Sequence, residues 1–310
     1  PGTILRDEVV EYRCVRAAQK VMLHRYRKYG IEGIHNLMGL VDDGTVPSFF
    51  KGPAYQERYL GTVLMEEEIT EVARRHLGGD DSFTSLVFNR VTAGTITLVH
   101  ETLDQVRSPR LAWRYDAGSR RLRRSPNLAY ETDLPNSSSL RSVDQKDMYN
   151  GAPNQYDWEL KGKRELLVPY NGYKLHDSGV RPEDVIRPNH INQSLARYEL
   201  HRVWVVEAKR RTGIGHIYER RVFYIDEDSW QILVSEEYNE KGELWRVSEA
   251  HNISYYSEPV FWTTMEMTYD LKANRYYIDG LDNGYPAYDF APGYRGNEFT
   301  ASAARRAARR

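Results

Sequence analysis

The chain has one cysteine in 310 residues, Cys14, and no apolar run near the roughly 20 residues that a membrane-crossing helix needs. A lone thiol excludes an internal disulfide framework and a cysteine-rich zinc site. Net charge is also scarce: 43 Lys and Arg stand against 44 Asp and Glu, leaving −1 at pH 7. A balanced molecule has no strong field to gather nucleic acid, and no RNA-binding signature occurs.

Signatures of catalysis and cofactor binding are missing too. No GxSxG nucleophile elbow is present. "HETLD" at 100–104 begins like a zinc-protease motif, but Asp104 replaces the second histidine and the context reads as a strand, so His100 is structural. "GIGHIY" lacks the third glycine of a dinucleotide fingerprint and opens no helix. "DEDS" at 226–229 lacks the spacing of a calcium loop and is assigned to a hairpin turn. His190, His201, His216 and His251 are read as unrelated rather than as a metal or acid/base cluster. Neither metal nor cofactor is expected.

Aromatics and alternation are abundant. There are 23 Tyr, 8 Phe and 6 Trp, with a mean hydropathy of −0.68, a composition that suits strands. From about Phe83 the hydrophobic period is two, in runs such as "TITLVHETL", "LAWRYDA", "RRLRRSP", "YDWELKGKRELLVPY", "RYELHRVWVVEAK", "HIYERRVFYID", "WQILVSEEYN", "ELWRVSEAHNISYY" and "WTTMEMTYDL". Turn residues separate them, Gly242 among these, and no crossover helix intervenes, so the sheet should be antiparallel.

The first eighty residues read differently. "RDEVVEYRCVRAAQKVMLHRYRKYG" places Val9, Val10, Cys14, Ala17 and Val21 near one helical face, and "PAYQERYLGTVLMEEEITEVARRHL" runs from Pro53 to a Gly78-Gly79 stop. The organisation expected is a helical segment over 1–80, divergent or truncated, a curved β domain over 81–290, and a basic flexible tail over 291–310. Two long loops, "ETDLPNSSSLRSVDQKDMYNGAPNQ" and "HDSGVRPEDVIRPNHINQSLA", are either lids over a site or passive surface. The chain starts at Pro1 with no basic-then-apolar leader, so export is not readable from these residues.

Candidate binding residues fall in two groups. In "YELHRVWVVEA" the face bearing Tyr198, Leu200, Arg202, Trp204 and Val206 is expected inward, the face bearing Glu199, His201, Val203, Val205 and Glu207 outward. With Trp230, Ile232, Val234, Met265, Met267 and Tyr269 it supplies a soft, aromatic lining for an apolar guest, although the same residues would serve as ordinary core. Trp204, Trp230, Met265 and Met267 are expected on one side of the sheet. Arg120, Arg121, Arg123 and Arg124 form the sharpest basic cluster, suited to clamping a phosphate or carboxylate of a headgroup or partner.

"LVHETLDQVRSPRLAWRYDAGSRRLRRSPNLAYET", "DMYNGAPNQYDWELKGKRELLVPYNGYKL", "RYELHRVWVVEA", "RRVFYIDEDSWQILVSEEYNEKGELWRV" and "GLDN" together resemble a bacterial family of unknown function labelled outer-membrane lipoprotein-sorting-like and related to the Lol carriers and receptors. The resemblance spans about Phe83 to Asn283. It implies a mostly β fold, in which a curved antiparallel sheet forms an open barrel wrapped around helices and encloses an apolar cavity. It also implies a non-enzymatic carrier or adaptor, periplasmic or outer-membrane-associated, that takes a lipid or lipoprotein acyl chains. A resistance-nodulation-division-type transporter is the partner it suggests. The other readings are an interaction module that docks on an envelope transporter without cargo, and a lipid-modifying enzyme.

Overall fold

The computed structural model describes residues 29–35, 39–41, 55–61, 82–89, 95–102, 106, 110–116, 119–125, 132–134, 137, 139–257, 260–280, 283 and 300–307. The chain divides into two compact units, one formed by 1–9, 36–52 and 129–285, the other by 10–35, 53–128 and 286–310.

The second unit holds a six-stranded antiparallel sheet of β1 (Tyr29–His35), β3 (Tyr55–Gly61), β4 (Ser82–Asn89), β5 (Thr95–Thr102), β6 (Leu111–Asp116) and β7 (Arg121–Arg124), in the order β1-β3-β4-β5-β6-β7. Residues 55–61, expected to open a helix, are a strand. Tyr55, Glu57 and Tyr59 alternate with Gln56, Arg58 and Leu60, a period-two pattern with strand-favouring tyrosines that a helical reading of the longer segment overrides. The helix expected over 7–29 lies outside the described residues except Tyr29, which begins β1. A short helix, Ala301–Ala307, packs against β5, β6 and β7 with Ala304 fully buried, so this part of the expected flexible tail is ordered. Its alanines allow the close approach.

The first unit is built on an eight-stranded antiparallel sheet: β2 (Gly39–Val41), β8 (Tyr156–Pro169), β9 (Tyr198–Arg210), β10 (Arg220–Asp226), β11 (Ile232–Tyr238), β12 (Leu244–Tyr255), β13 (Val260–Asp270) and β14 (Arg275–Asp279). The order is β2-β14-β13-β12-β11-β10-β9-β8, with the end strands unjoined among the described residues, so the sheet is curved without closing into a barrel. Register shifts at Leu160/Gly162, Tyr224/Ile225, Glu237/Tyr238 and His251/Asn252 supply the bends, since each bulge adds a residue to one strand and increases local twist. Gly162 has φ +100°, a conformation that suits glycine.

Residues paired directly across strands share a face. One row runs Val205–Tyr224–Val234–Glu249–Met267–Ile278, and a neighbouring row on the opposite face runs Ala208–Arg221–Glu237–Arg246–Asp270–Arg275. The first belongs to a mainly apolar face, the second to a polar one. The two long loops each cover a face. Residues 139–155 lie over the polar face, and residues 175–195, including the single turn Pro182–Val185, lie over the β13–β14 part of the apolar face.

Beneath the first loop the charges alternate in sign. Arg221, Glu237, Arg246 and Asp270 are all buried. Arg221 donates to Asp144 of the loop at 2.5 Å, and His216 Nε2 lies 3.3 Å from the same carboxylate. Arg246 donates to the carbonyls of Ser139 and Leu140 at 2.8 and 3.0 Å and to Tyr218 Oη at 2.8 Å. Arg141 pairs with Glu266 and lies 3.5 Å from Asp279. The guanidinium and imidazole hold the Asp144 carboxyl well below the usual range against the opposing effect of burial.

A buried ion left without its partner is costly, so Asp144→Ala should destabilise by about 3–5 kcal/mol in urea unfolding, and adding Arg221→Met should recover most of that loss. Glu237 behaves in the opposite sense to Asp144: burial pushes its carboxyl up from 4.5 to about 7, despite Arg221 and Arg246 beside it. The folded state therefore keeps a proton that the unfolded chain gives up, and stability from this group falls as pH rises from 4.5 to 7. At about 1.4 kcal/mol per unit, the fall is roughly 3 kcal/mol. Comparing urea midpoints of wild type and Glu237→Gln at pH 5 and pH 7.5 should show the variant without this loss.

Candidate functional site

The apolar face is sealed at one end and half-open at the other. Over β13 and β14, Met265, Met267, Tyr276 and Ile278 are buried against Leu175, Val185, Ile186, Ile191 and Leu195 of the covering loop, with Tyr269 packed at the edge. Tyr276 Oη donates to Arg187 O at 2.7 Å and accepts the Arg187 N–H at 3.1 Å, while Asn283 Nδ2 donates to Leu175 O at 2.7 Å. Over β8–β11 the floor is Val168, Val203 and Leu233, all fully buried, ringed by the partly buried Leu166, Tyr170, Tyr224, Val234 and Phe261. Tyr170 lies over His201 at 3.9 Å between ring centroids and against Phe261 at 4.8 Å.

A polar corner adjoins this patch. His201 Nδ1 is 2.9 Å from Asp226 Oδ1, and Nε2 is 3.5 Å from Glu199 Oε2. Asn171 Nδ2 and Arg197 Nε donate to Glu199 Oε1 at 2.9 and 2.8 Å. Burial raises the Glu199 carboxyl, but these donors and His201 outweigh it and hold the group below its usual range. Burial, reinforced by the Asp226 charge, raises the Tyr170 phenol, which stays neutral. The four histidines do not meet: His216 faces Asp144, His251 faces Glu249, and His190 Nδ1 lies 2.7 Å from Ile191 O.

The sequence-predicted residues are split. On β9 the expected faces are reversed, since Leu200 is 65% exposed and Arg202 is exposed, whereas Val203 is fully buried and Val205 nearly so. Alternation fixes which residues share a face but not which face is covered. Glu199 and Glu207, which argued for an outward face, are neutralised in place, Glu207 by Arg220 at 3.0 Å. Trp204 therefore lies opposite Val205 and Met267, half-buried, stacked with Trp230 at 6.4 Å and capped by Lys163 Nζ at 4.3 Å. Ile232 is buried and pairs with Ile225 in the Trp204 row, while Val234 shares the Met267 row. Met265 and Met267 are packed, as the ordinary-core alternative has it.

Arg120, Arg121, Arg123 and Arg124 are exposed on β7 and the turn before it, in the six-stranded unit. Arg123 pairs across strands with Arg114, and Arg121 with Asp116. The features that sequence reading missed are the His201–Asp226 corner and the buried charges opposite it. Their signal was present: Arg221 sits amid "RRVFYID", an apolar context in which a charge needs a partner.

A family model described as a protein of unknown function, DUF1329, matches residues 90–305, more than half of the chain. The chain belongs to the DUF1329 family. A protein of Pseudomonas aeruginosa designated uncharacterized protein PA3922 is 49% identical over 214 residues, 69% of this chain and 47% of that protein, so the chain spans about half the length of this relative. Two solved structures share the fold. One, described as an outer membrane lipoprotein-sorting protein domain of Vibrio parahaemolyticus, aligns at TM-score 0.56 and 13% identity over 94% of this chain and 97% of its own. The other, a DUF1329 protein of Desulfovibrio piger, gives 0.54 and 13% over 95% and 96%. The DUF1329 chain thus has a lipoprotein-sorting-like β fold.

Because the arginines of β7 are exposed, Arg121→Gln with Arg123→Gln should leave the melting temperature within about 1–2 °C of wild type, as for other surface changes. Any binding to vesicles that contain an anionic phospholipid should weaken, and a flotation assay on both proteins checks it.

Proposed function

We propose that this DUF1329 chain is a non-enzymatic carrier or adaptor of the Gram-negative envelope, taking a lipid or the acyl chains of a lipoprotein on the apolar face of its curved sheet. The observation that carries the reading is the half-open patch of Leu166, Tyr170, Tyr224, Val234 and Phe261 above a fully buried aliphatic floor. A soluble domain seldom leaves adjoining rings and aliphatics half-covered without use. The lipoprotein-sorting-like fold of its structural relatives supports the class of guest.

In this reading Val234 and Tyr269 touch the guest, and Met265 and Met267 join them once the 175–195 segment lifts. Trp204, Trp230 and Ile232 brace the wall from behind. Arg120, Arg121, Arg123 and Arg124 serve an anionic headgroup or a protein partner, and a resistance-nodulation-division-type transporter is the partner that the family resemblance suggests. A lipid-modifying enzyme fits less well. His201 has a carboxylate on each side, Asp226 and Glu199, rather than a hydroxyl or thiol to activate.

The second reading, an interaction module without cargo, draws support from Leu167 and Leu200, cross-strand partners that are 63% and 65% exposed. A fluorescent long-chain fatty acid separates the two. It should bind wild type saturably and raise its melting temperature in proportion to occupancy. Phe261→Ala and Val234→Asp should each weaken binding about tenfold, equivalent to about 1.4 kcal/mol. Absence of binding, or equal affinity in both variants, leaves the interaction module as the better reading.

A further inference from the structure

The turn between β10 and β11 brings metal-ligating groups of two kinds to one corner of the apolar face. His201 of β9, Asp226 at the end of β10 and Asp228 in the turn each offer one ligand atom, and these atoms lie within 4.8 Å of one another. Asp226 is fully withdrawn from water, whereas Asp228 is exposed.

The surroundings orient these groups toward a common point. Asp226 Oδ2 is taken by the Ser229 backbone N–H at 2.8 Å and lies 3.4 Å from the Tyr170 hydroxyl, which leaves Oδ1 to face the imidazole. Tyr170, stacked on His201, fixes the ring plane. Glu199 stands behind the ring at Nε2, itself held by Asn171 and Arg197. A carboxylate behind one imidazole nitrogen sets the tautomer that presents the other to a metal.

Charge leads to the same place. A fully buried carboxylate needs a compensating charge, yet the neighbouring cations Lys163 and Arg202 are both engaged by Glu227, each at 2.5 Å. Among the described residues, the ion pair that Asp226 makes is with His201. Nδ1 and Oδ1 are 2.9 Å apart, in direct hydrogen-bond contact, and two ligands about 2.0–2.2 Å from one tetrahedral zinc lie roughly 3.3–3.6 Å apart, so the pair opens by about half an ångström when the metal takes the place of the shared proton.

We propose that His201, Asp226 and Asp228 bind a divalent transition metal of the zinc class, with Glu199 and Tyr170 holding the imidazole in place. One imidazole with carboxylates suits such a metal better than calcium or magnesium, which prefer oxygen ligands alone. Asp228 completes the set by rotating its exposed side chain. Three protein ligands leave a coordination position for water or for an anionic group. The site stands whether or not the apolar patch takes a lipid, because the metal is tested alone.

The test is calorimetric titration of the full chain with zinc chloride after treatment with a chelator. One saturable site is expected per chain. Asp228→Asn removes an exposed side chain and leaves the fold intact, and it should weaken binding about tenfold or more. His201→Gln should abolish it. Cobalt(II) should give the visible absorption of a four-coordinate nitrogen–oxygen site in wild type and not in His201→Gln. Absence of saturable binding, or wild-type affinity in Asp228→Asn, overturns the proposal.

Discussion

The ion pair between Arg221 and Asp144 joins a strand to the loop that covers it, and both side chains are wholly withdrawn from water. A charge in that position must be matched nearby, and the matching propagates sideways. Arg221 pairs across strands with Glu237, Glu237 with Arg246, Arg246 with Asp270 and Asp270 with Arg275, so Glu237, Arg246 and Asp270 each stand between groups of the opposite type, while the other neighbour of Arg221 is Ala208. The loop takes up what the row leaves over, with Asp144 beside Arg221 and backbone carbonyls of Ser139 and Leu140 for Arg246. A hydrophobic row of equal volume would be no less stable. The charged row does something else: a slip of one residue in any strand would carry an arginine or carboxylate to the face of Met267 and Val205, at a cost of several kcal/mol.

The two loops are held by different physics, and the difference bears on motion. The loop over the polar face is fixed by ion pairs and charge-assisted hydrogen bonds in a dry setting. The 175–195 segment is held by aliphatic side chains against Met265, Met267 and Ile278, together with hydrogen bonds such as those of Tyr276 and Asn283. Lifting it exposes apolar surface, at about 1.5–3 kcal/mol for each large side chain uncovered. An acyl chain laid on the same methionines would offset that loss with contacts of the same chemistry. No such substitute exists for Asp144 over Arg221. On the carrier proposal, the apolar cover is therefore the one that would exchange with a guest.

Most of the fold was legible, because period two over Thr95–Asp270 and glycine turns such as Gly242 dictate antiparallel strands. The site was much less so. Each bulge shifts the phase of alternation, and the shifts at Tyr224/Ile225, Glu237/Tyr238 and His251/Asn252 fall between the residues whose faces had to be compared. Trp204 and Met267 were expected together and lie opposite. On β9, with an unbroken pattern, the phase was right and the covered face was wrong, because coverage of Val203 comes from residues far along the chain, Val168, Tyr170, Leu233 and Phe261, which alternation within β9 does not report. "RYYID" at 275–279, the strand β14, is too short at five residues to show alternation. His201 and Asp226 are 25 residues apart, and only the β9–β10 pairing brings them together.

The edge of the sheet bears on the carrier proposal as well. Among the described residues β8 ends the sheet, and fourteen residues of unpaired backbone would ordinarily recruit another strand. Several features oppose that. Gly162 and the adjacent register shift bend the strand, and the edge carries Glu159, Lys161, Lys163, Arg164 and Glu165 in succession. These charges are engaged locally, Lys161 with Glu159 at 2.5 Å and Lys163 with Glu227 at 2.5 Å, so a strand added at this edge would have to displace them. Backbone pairing is thus discouraged where it would otherwise be cheapest. On the side of the sheet carrying Leu166, beside Tyr170 and Phe261, apolar surface is left half-covered. On the carrier proposal, a guest that needs no hydrogen bonds would be the one to settle there, and an aliphatic chain would suit this sheet better than an extended peptide.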